Sequence, residues 1–252
     1  MELYPLKSGS KGNSCLVYTK NTKILVDCGI SGKAASDALS QIGIAPDEIS
    51  GIVVTHEHTD HIKGVGILAR RYKLPVYANA KTWEAMRGSI GKISDSCVKV
   101  FDGVSPFSVG ELGIKPFDIP HDAAMPVGYC FDDGIERGAV ATDMGVLTEE
   151  VMRAIGGCKT VLLESNHDIN MLETGSYPYS LKQRIKGSLG HLSNDTAAKG
   201  AELLVKMGAE RIILGHLSEE NNFPALAYET VKSALACSGI VAGRDIALSV
   251  AV

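Results

Sequence analysis

The chain predicts an α/β fold formed as one domain over residues 1–252, and three observations carry the prediction. Short apolar runs of strand length alternate with helical patterns from end to end. The stretch from Val98 to Val140 is strand-like throughout. An early pair of segments, TKILVDCG and GIVVTHEH, is echoed by a late pair, RGAVATDMG and RIILGHLS. In each pair one apolar strand ends in Asp and another in His, so the halves read as two packed sheets with matching strand ends at one edge.

The elements follow in order. Ser31 is suited to cap a helix whose apolar positions Ala35, Ala38, Leu39 and Ile42 repeat at helical spacing. The strand Gly51–Val54 leads into THEHTDH, where Thr59 is placed to cap a helix running through Ile62, Val65 and Leu68 towards Tyr72, with Asp60 and His61 in its first turn. VKVF, ELGIKPFDI and GYCF-DDG-IERGAVA predict a mostly antiparallel middle with a hairpin at Asp133-Gly134. Further helices are expected over Thr148–Ile155, from about Asp195 to Met207 behind Ser193 or Asn194, and over Pro224–Ala236. No low-complexity tract or linker divides the chain, and 252 residues suffice for a sizeable core.

Composition excludes several classes. With 45% hydrophobic and 21% charged residues the chain is ordinary globular material, and it has no apolar run of the about 18 residues a bilayer span needs. The opening MELYPLKSGSKGN lacks the apolar core of a secretion signal, so a cytoplasmic protein is expected. The six cysteines are scattered without a CxxC pair and read as reduced core thiols. A formal charge of −4 speaks against a surface coated in positive potential, yet leaves room for a local strip in which Lys182, Arg184 and Lys186 follow Tyr177 and Tyr179. Lys182 and Arg184 are candidate phosphate contacts. So are Ser10 and Asn13 in the loop SGSKGNS, whose glycines let backbone N–H groups turn towards an anion.

Seven histidines carry the chemistry. His56, His121, His167 and His216 each sit at or just beyond the end of an apolar strand, where surface histidines without function would scatter. Alternate residues of an extended segment point the same way, so His56 and His58 can approach one cation, while Asp60 and His61 come after the turn into the helix. Imidazoles mixed with carboxylates suit zinc, manganese or iron, make calcium improbable, and with no nearby cysteine disfavour a closed thiolate zinc site. The expected set is His56, His58 and His121 on one ion and Asp60, His61 and His216 on the other. Asp143 is shared through its two oxygens, and Asp27 hydrogen-bonds the histidine loop from behind.

The HxHxDH motif, matched by His56, His58, Asp60 and His61, with His121, Asp143 and His216 following in order, makes the chain resemble the metallo-β-lactamase-fold superfamily over essentially its whole length. KSGSKGNSCLVY, LLESNHDINML, GHLSN and LGHLSEENN look like its YycJ/WalJ branch. The resemblance implies an αβ/βα four-layer sandwich, a two-metal site at one sheet edge, and a DNA exonuclease working from the 5′ end with a hydroxide bridging the ions. A bridging Asp argues against antibiotic hydrolysis, His58 in place of the usual Glu against redox chemistry, and the short interval from Asp143 to His191 against a large inserted domain. The segment from Gly190 is similar to one in ribonuclease Z, which implies that His191 contacts the phosphate, tuned by Glu164, with His167 facing the same pocket and Asp60 orienting the nucleophile. Two rivals stay open: a phosphodiesterase for small cyclic or nucleotide substrates, and a non-catalytic scaffold stabilised by metal, with glyoxalase-like thioester hydrolysis a weaker third.

Overall fold

The computed structural model describes residues 1–251. Its first sheet contains β1 (Glu2–Lys7), β2 (Ser14–Tyr18), β3 (Lys23–Val26), β4 (Gly51–Val53), β5 (Val76–Asn79) and β6 (Val98–Phe101), in that spatial order. β1–β2–β3 pair antiparallel, and β3 through β6 are parallel. The second sheet contains β7 (Phe107–Val109), β8 (Leu112–Asp118), β9 (Val127–Asp132), β10 (Arg137–Ala141), β11 (Thr160–Glu164), β12 (Arg211–Gly215) and β13 (Ala247–Val250), again in chain order across the sheet. β7 to β10 form an antiparallel meander, and β10 to β13 run parallel.

Period-two alternation explains the layering. In β3, Ile24 and Val26 join the core between the sheets with Val53, Leu112, Tyr129, Phe131, Leu162 and Ile213, whereas Leu25 points outward. There it meets α1 (Gly32–Gln41), α2 (Thr59–Ile62), α3 (Val65–Tyr72) and α4 (Ala80–Ile90) through Ala35, Leu39, Ile62, Leu68, Trp83 and Met86. In β12, Ile213 faces inward while Ile212 and Leu214 meet the second helical layer. α5 (Glu149–Ile155), α8 (Asn194–Lys206) and α9 (Pro224–Cys237) supply Val151, Ala201, Leu204, Val231 and Leu235 to that layer. The order helices, sheet, sheet, helices is the αβ/βα four-layer sandwich. Each large apolar side chain buried in it contributes about 1.5–3 kcal/mol.

Several expectations shift. Ser31 caps its helix as read, Ser193 rather than Asn194 caps α8, and Thr148, read as the start of α5, is its cap; each accepts from a backbone N–H of the first turn. The cap before the histidine helix is His58 rather than Thr59, and the helix is two pieces: Gly64 N–H donates to Cys28 O at 2.7 Å, and a Cβ there would lie 2.4 Å from Ile30 O, so the chain breaks its path to pack against the β3 end. β6 is a parallel edge strand of the first sheet, not part of the antiparallel middle. α4, capped by Asn79, was not read, nor were α6 (Ile169–Thr174) and α7 (Tyr179–Lys186). α7 has no buried residue and hence no apolar stripe to find. Five of the six cysteines are buried, and all are free. Among the described residues, no helix is long and apolar enough to cross a membrane.

Candidate metal centre

Three strand ends build the centre. After β3, β10 and β12 the chain turns through Asp27 (φ 59°), Asp143 (φ 61°) and His216 (φ 56°), left-handed conformations that cost a non-glycine residue about 1–2 kcal/mol. The turn at each strand end brings a side chain to the shared sheet edge. From β4 the extended backbone carries His56 and His58, and the first turn of α2 carries Asp60 and His61.

Two clusters result. His58 Nδ1 lies 3.1 Å from His56 Nε2 and 3.3 Å from His121 Nε2. In the second cluster, Asp60 Oδ2 is 3.5 Å from His61 Nε2 and 3.8 Å from His216 Nε2. Asp143 joins them: its Oδ2 is 3.4 Å from His61 Nε2 and its Oδ1 3.4 Å from His216 Nε2, and it also groups with His56 and His61 within metal-ligand reach. Gly29 permits this closeness, because a Cβ there would fall 1.5 Å from Asp60 O.

The donor set fits divalent cations. Asp143 Oδ2 and His216 Nε2 are buried and make no hydrogen bond, a cost native interiors rarely accept unless an ion or water is the partner. Burial, reinforced by neighbouring His61, holds His56 well below the ordinary histidine range, and burial likewise lowers His121; both rings are then neutral, the form that ligates metal. Burial pushes the Asp143 carboxyl up, but the His216 and His61 rings outweigh it and leave the group well below the usual carboxylate range. Burial pulls His216 down, yet Asp143, Asp60 and Glu164 raise it to about 10, and His61 is raised by Asp143 and Asp27 against the same burial. The negative charge that keeps protons on these two rings is what a divalent cation would neutralise.

A surrounding network fixes which nitrogen faces inward. His61 Nδ1 donates to Asp27 Oδ2 at 2.8 Å, and Asp27 also accepts from Thr55 N and Thr55 Oγ1 at 2.8 and 2.7 Å. Thr55 Oγ1, so engaged, accepts from His56 Nδ1 at 3.0 Å. His121 Nδ1 donates to Gly190 O at 3.3 Å, and His216 Nδ1 to Glu164 Oε1 at 2.9 Å. Four rings therefore turn Nε2 to the centre, and His58 contributes Nδ1. Replacing Asp27 by Asn removes the negative acceptor of His61 Nδ1–H. Affinity for the bound divalent ion is expected to fall about 10–100-fold in a chelator-competition titration, and an unchanged affinity would refute the orienting role.

His191, which groups with Asp143, Glu164 and His216 within metal-ligand reach, shares its anchor with His216. Its Nδ1 donates to the same Glu164 Oε1 at 2.8 Å, while Glu164 Oε2 accepts from Met144 N at 2.8 Å and Leu192 N at 3.4 Å. One fully buried carboxylate thus holds the two histidines together. Both rings open on a cavity of about 360 Å³, also lined by Ser10, Asp60, Asn166, Tyr177 and Arg184. Other expected contacts lie elsewhere. Lys182 Nζ donates to Glu173 O and Gly175 O at 2.8 and 2.7 Å, closing the end of α6. Asn13 reaches the inward-facing atoms themselves: it accepts from Gly9 N at 3.0 Å, and its Nδ2 lies 3.1 Å from His61 Nε2 and donates to Asp60 Oδ2 at 3.4 Å. His167 is buried, lowered to about 4 chiefly by burial, and off the cavity lining, where Asn166 stands instead. Asn166 Nδ2 donates to His216 O at 2.9 Å, and Ser8 Oγ accepts from His216 N at 2.7 Å. Sequence reading gave no role to Thr55, Asn166, Ser8 or Asp122, and named Tyr177 only as leading the basic strip. The first two adjoin quoted motifs; the position of Ser8 depends on pairing across 208 residues.

Comparison with known proteins gives a consistent picture. A profile described as "Beta-lactamase superfamily domain" matches residues 22–217. The chain is 41% identical over 239 residues to Exodeoxyribonuclease YycJ of Bacillus anthracis, covering 95% of this chain and 90% of that one. It is 40% identical over 242 residues to Exodeoxyribonuclease WalJ of Streptococcus pneumoniae, with the same coverage. Among solved structures, the metallo-β-lactamase fold protein YhfI from Bacillus subtilis superposes with a TM-score of 0.72 at 17% identity, over 99% of this chain and 95% of that one.

Proposed function

Since the chain belongs to the β-lactamase superfamily and has its metallo-β-lactamase fold, we propose that it is a metal-dependent phosphodiesterase, a DNA exonuclease that removes nucleotides from the 5′ end. We read residues 1–252 as one domain working in the cytoplasm, with zinc or manganese, or iron, as the metal. The observation that carries the reading is the pair of ligand clusters joined by Asp143 with a further histidine, His191, held beside them by Glu164. Both relatives at 40–41% identity bear the name exodeoxyribonuclease.

His56, His58 and His121 would hold one ion, and Asp60, His61 and His216 the other, with Asp143 shared. Bound there, the ions supply a water that deprotonates near neutral pH and positive charge for the phosphoryl oxygens. The chain's own residues do the rest. Asp60, partly exposed on the cavity, orients the attacking water by accepting its hydrogen bond. Glu164 fixes His191 through Nδ1–H; in its imidazolium form the ring carries a second proton on Nε2, which passes to the departing 3′ oxygen and leaves the neutral ring with Nδ1–H still bonded to Glu164. Asn166 and Ser8 hold the His216 backbone in its turn.

One observation favours a second reading. The cavity of about 360 Å³ is near the lower end of small-molecule sites, roughly 300–1,000 Å³, which also fits a phosphodiesterase for single nucleotides. The test is to supply protein, reconstituted separately with Mn²⁺ and Zn²⁺, with end-labelled single- and double-stranded oligonucleotides and with bis-p-nitrophenyl phosphate. Stepwise release of mononucleotides from the 5′ end, abolished by EDTA, is expected. Turnover of the small diester alone would favour the second reading, and silence on all substrates with metal bound would favour a scaffold.

A further inference from the structure

Arg184 is the single arginine or lysine on the lining of the cavity above the metal centre; the other ionisable side chains there are Asp, His and Tyr. It reaches the cavity from α7, where Leu181, Arg184 and Ile185 share one face at helical spacing, and Tyr177 lines the same wall just before the helix. Its Nε donates to Asp122 Oδ2 at 2.6 Å, with the side chain 61% exposed, and among the described residues Nη1 and Nη2 make no hydrogen bond. Asp122 directly follows His121, and its Oδ1 lies 3.5 Å from His121 Nε2. The pair therefore sits at the mouth of the first ligand cluster.

We propose that Arg184 recognises the phosphate of a nucleotide unit adjoining the reacting diester, that Tyr177 stacks on that unit's base, and that Asp122 occupies Arg184 as an internal substitute for the phosphate until substrate arrives. The inference rests on the phosphodiesterase reading of the same site and names its recognition chemistry. A guanidinium presents a planar fork matched to two phosphate oxygens, whereas Asp122 engages it through Nε alone. An exposed ion pair is weak, so a phosphate brought in beside the metal ions can displace it. An aromatic wall gives sequence-tolerant stacking, because every base presents a π-face.

The test is a calorimetric titration of deoxyadenosine 5′-monophosphate into Mn²⁺-loaded wild type, Arg184→Ala, Arg184→Lys, Asp122→Asn and Tyr177→Leu, each assayed for metal content. Arg184→Ala should weaken binding about tenfold or more and Arg184→Lys less, while Asp122→Asn tightens it by removing the competitor. Tyr177→Leu should weaken the nucleotide but not deoxyribose 5-phosphate, which has no base to stack. On a 5′-labelled oligonucleotide, Arg184→Ala should raise KM about tenfold with a much smaller fall in kcat. The proposal is overturned if Arg184→Ala binds the nucleotide as wild type does, if Asp122→Asn weakens binding or loses metal, or if Tyr177→Leu affects both ligands equally. Wild type that binds the nucleotide through Arg184 but degrades no oligonucleotide would sink the nuclease reading and leave the recognition site standing.

Discussion

Asp143→Ala is expected to lower affinity for divalent ions by about 10³-fold and to leave no measurable nuclease activity at metal concentrations that saturate the wild type. Asp143 is 2% exposed, and its two oxygens face His61 and His216 separately at 3.4 Å each. Removing one partner of such a buried charge set costs about 3–5 kcal/mol, and 1.4 kcal/mol corresponds to a factor of ten. The same change takes away the group that most strongly holds protons on His216 and His61 against burial, leaving Asp60 and Glu164 to act on His216 and Asp27 on His61. Inductively coupled plasma analysis after dialysis against a weak chelator reads the loss directly. Retention of near-stoichiometric metal would show that the two clusters bind independently of Asp143.

His191→Ala and His216→Ala should part company. Both rings donate Nδ1–H to Glu164 Oε1, at 2.8 and 2.9 Å, but only His216 approaches Asp143 and Asp60 with its second nitrogen. His216→Ala is expected to lose metal. His191→Ala is expected to keep it while kcat on an oligonucleotide falls about 10²–10⁴-fold, the range for removing a proton donor. A substrate with an activated leaving group, which needs no proton, should recover much of that loss. Equal metal depletion in the two variants would make His191 a ligand and overturn the division of roles.

How much of this was legible in the chain alone follows from where each signal resides. The strand ends were readable because an apolar run closing on Asp or His is a local pattern; the echoed ends do meet at one edge, although Asp27 and His56 leave adjacent strands, β3 and β4, while Asp143 and His216 leave strands on either side of β11. The helices behind Ser31 and Ser193 were readable for the same reason, although α4 and α6, capped by Asn79 and Asp168, were not read. α7 was not: Leu181 and Ile185 are only half-buried, so its periodicity is drowned by polar residues, and it was seen only as a basic strip. Within that strip sequence could not separate Lys182, which closes α6, from Arg184, which meets Asp122; the difference is a rotation of about 200° around a helix axis, two residues at 3.6 per turn. His167 satisfied the strand-end rule and still missed the cavity, because its neighbour Asn166 takes the place on the lining. β6 was misassigned because parallel pairing with β5 joins segments separated by a helix, which no local pattern records.

The left-handed corners at Asp27, Asp143 and His216 carry a last implication. A glycine at any of them would relax the backbone by about 1 kcal/mol or more, yet it would strand the buried groups that the lost side chain serves: Thr55 and His61 at Asp27, His61 and His216 at Asp143, and Glu164 at His216. Selection for heat resistance alone would therefore retain these strained corners for as long as their buried partners remain, and the site could be lost only by replacing the whole set of charges together.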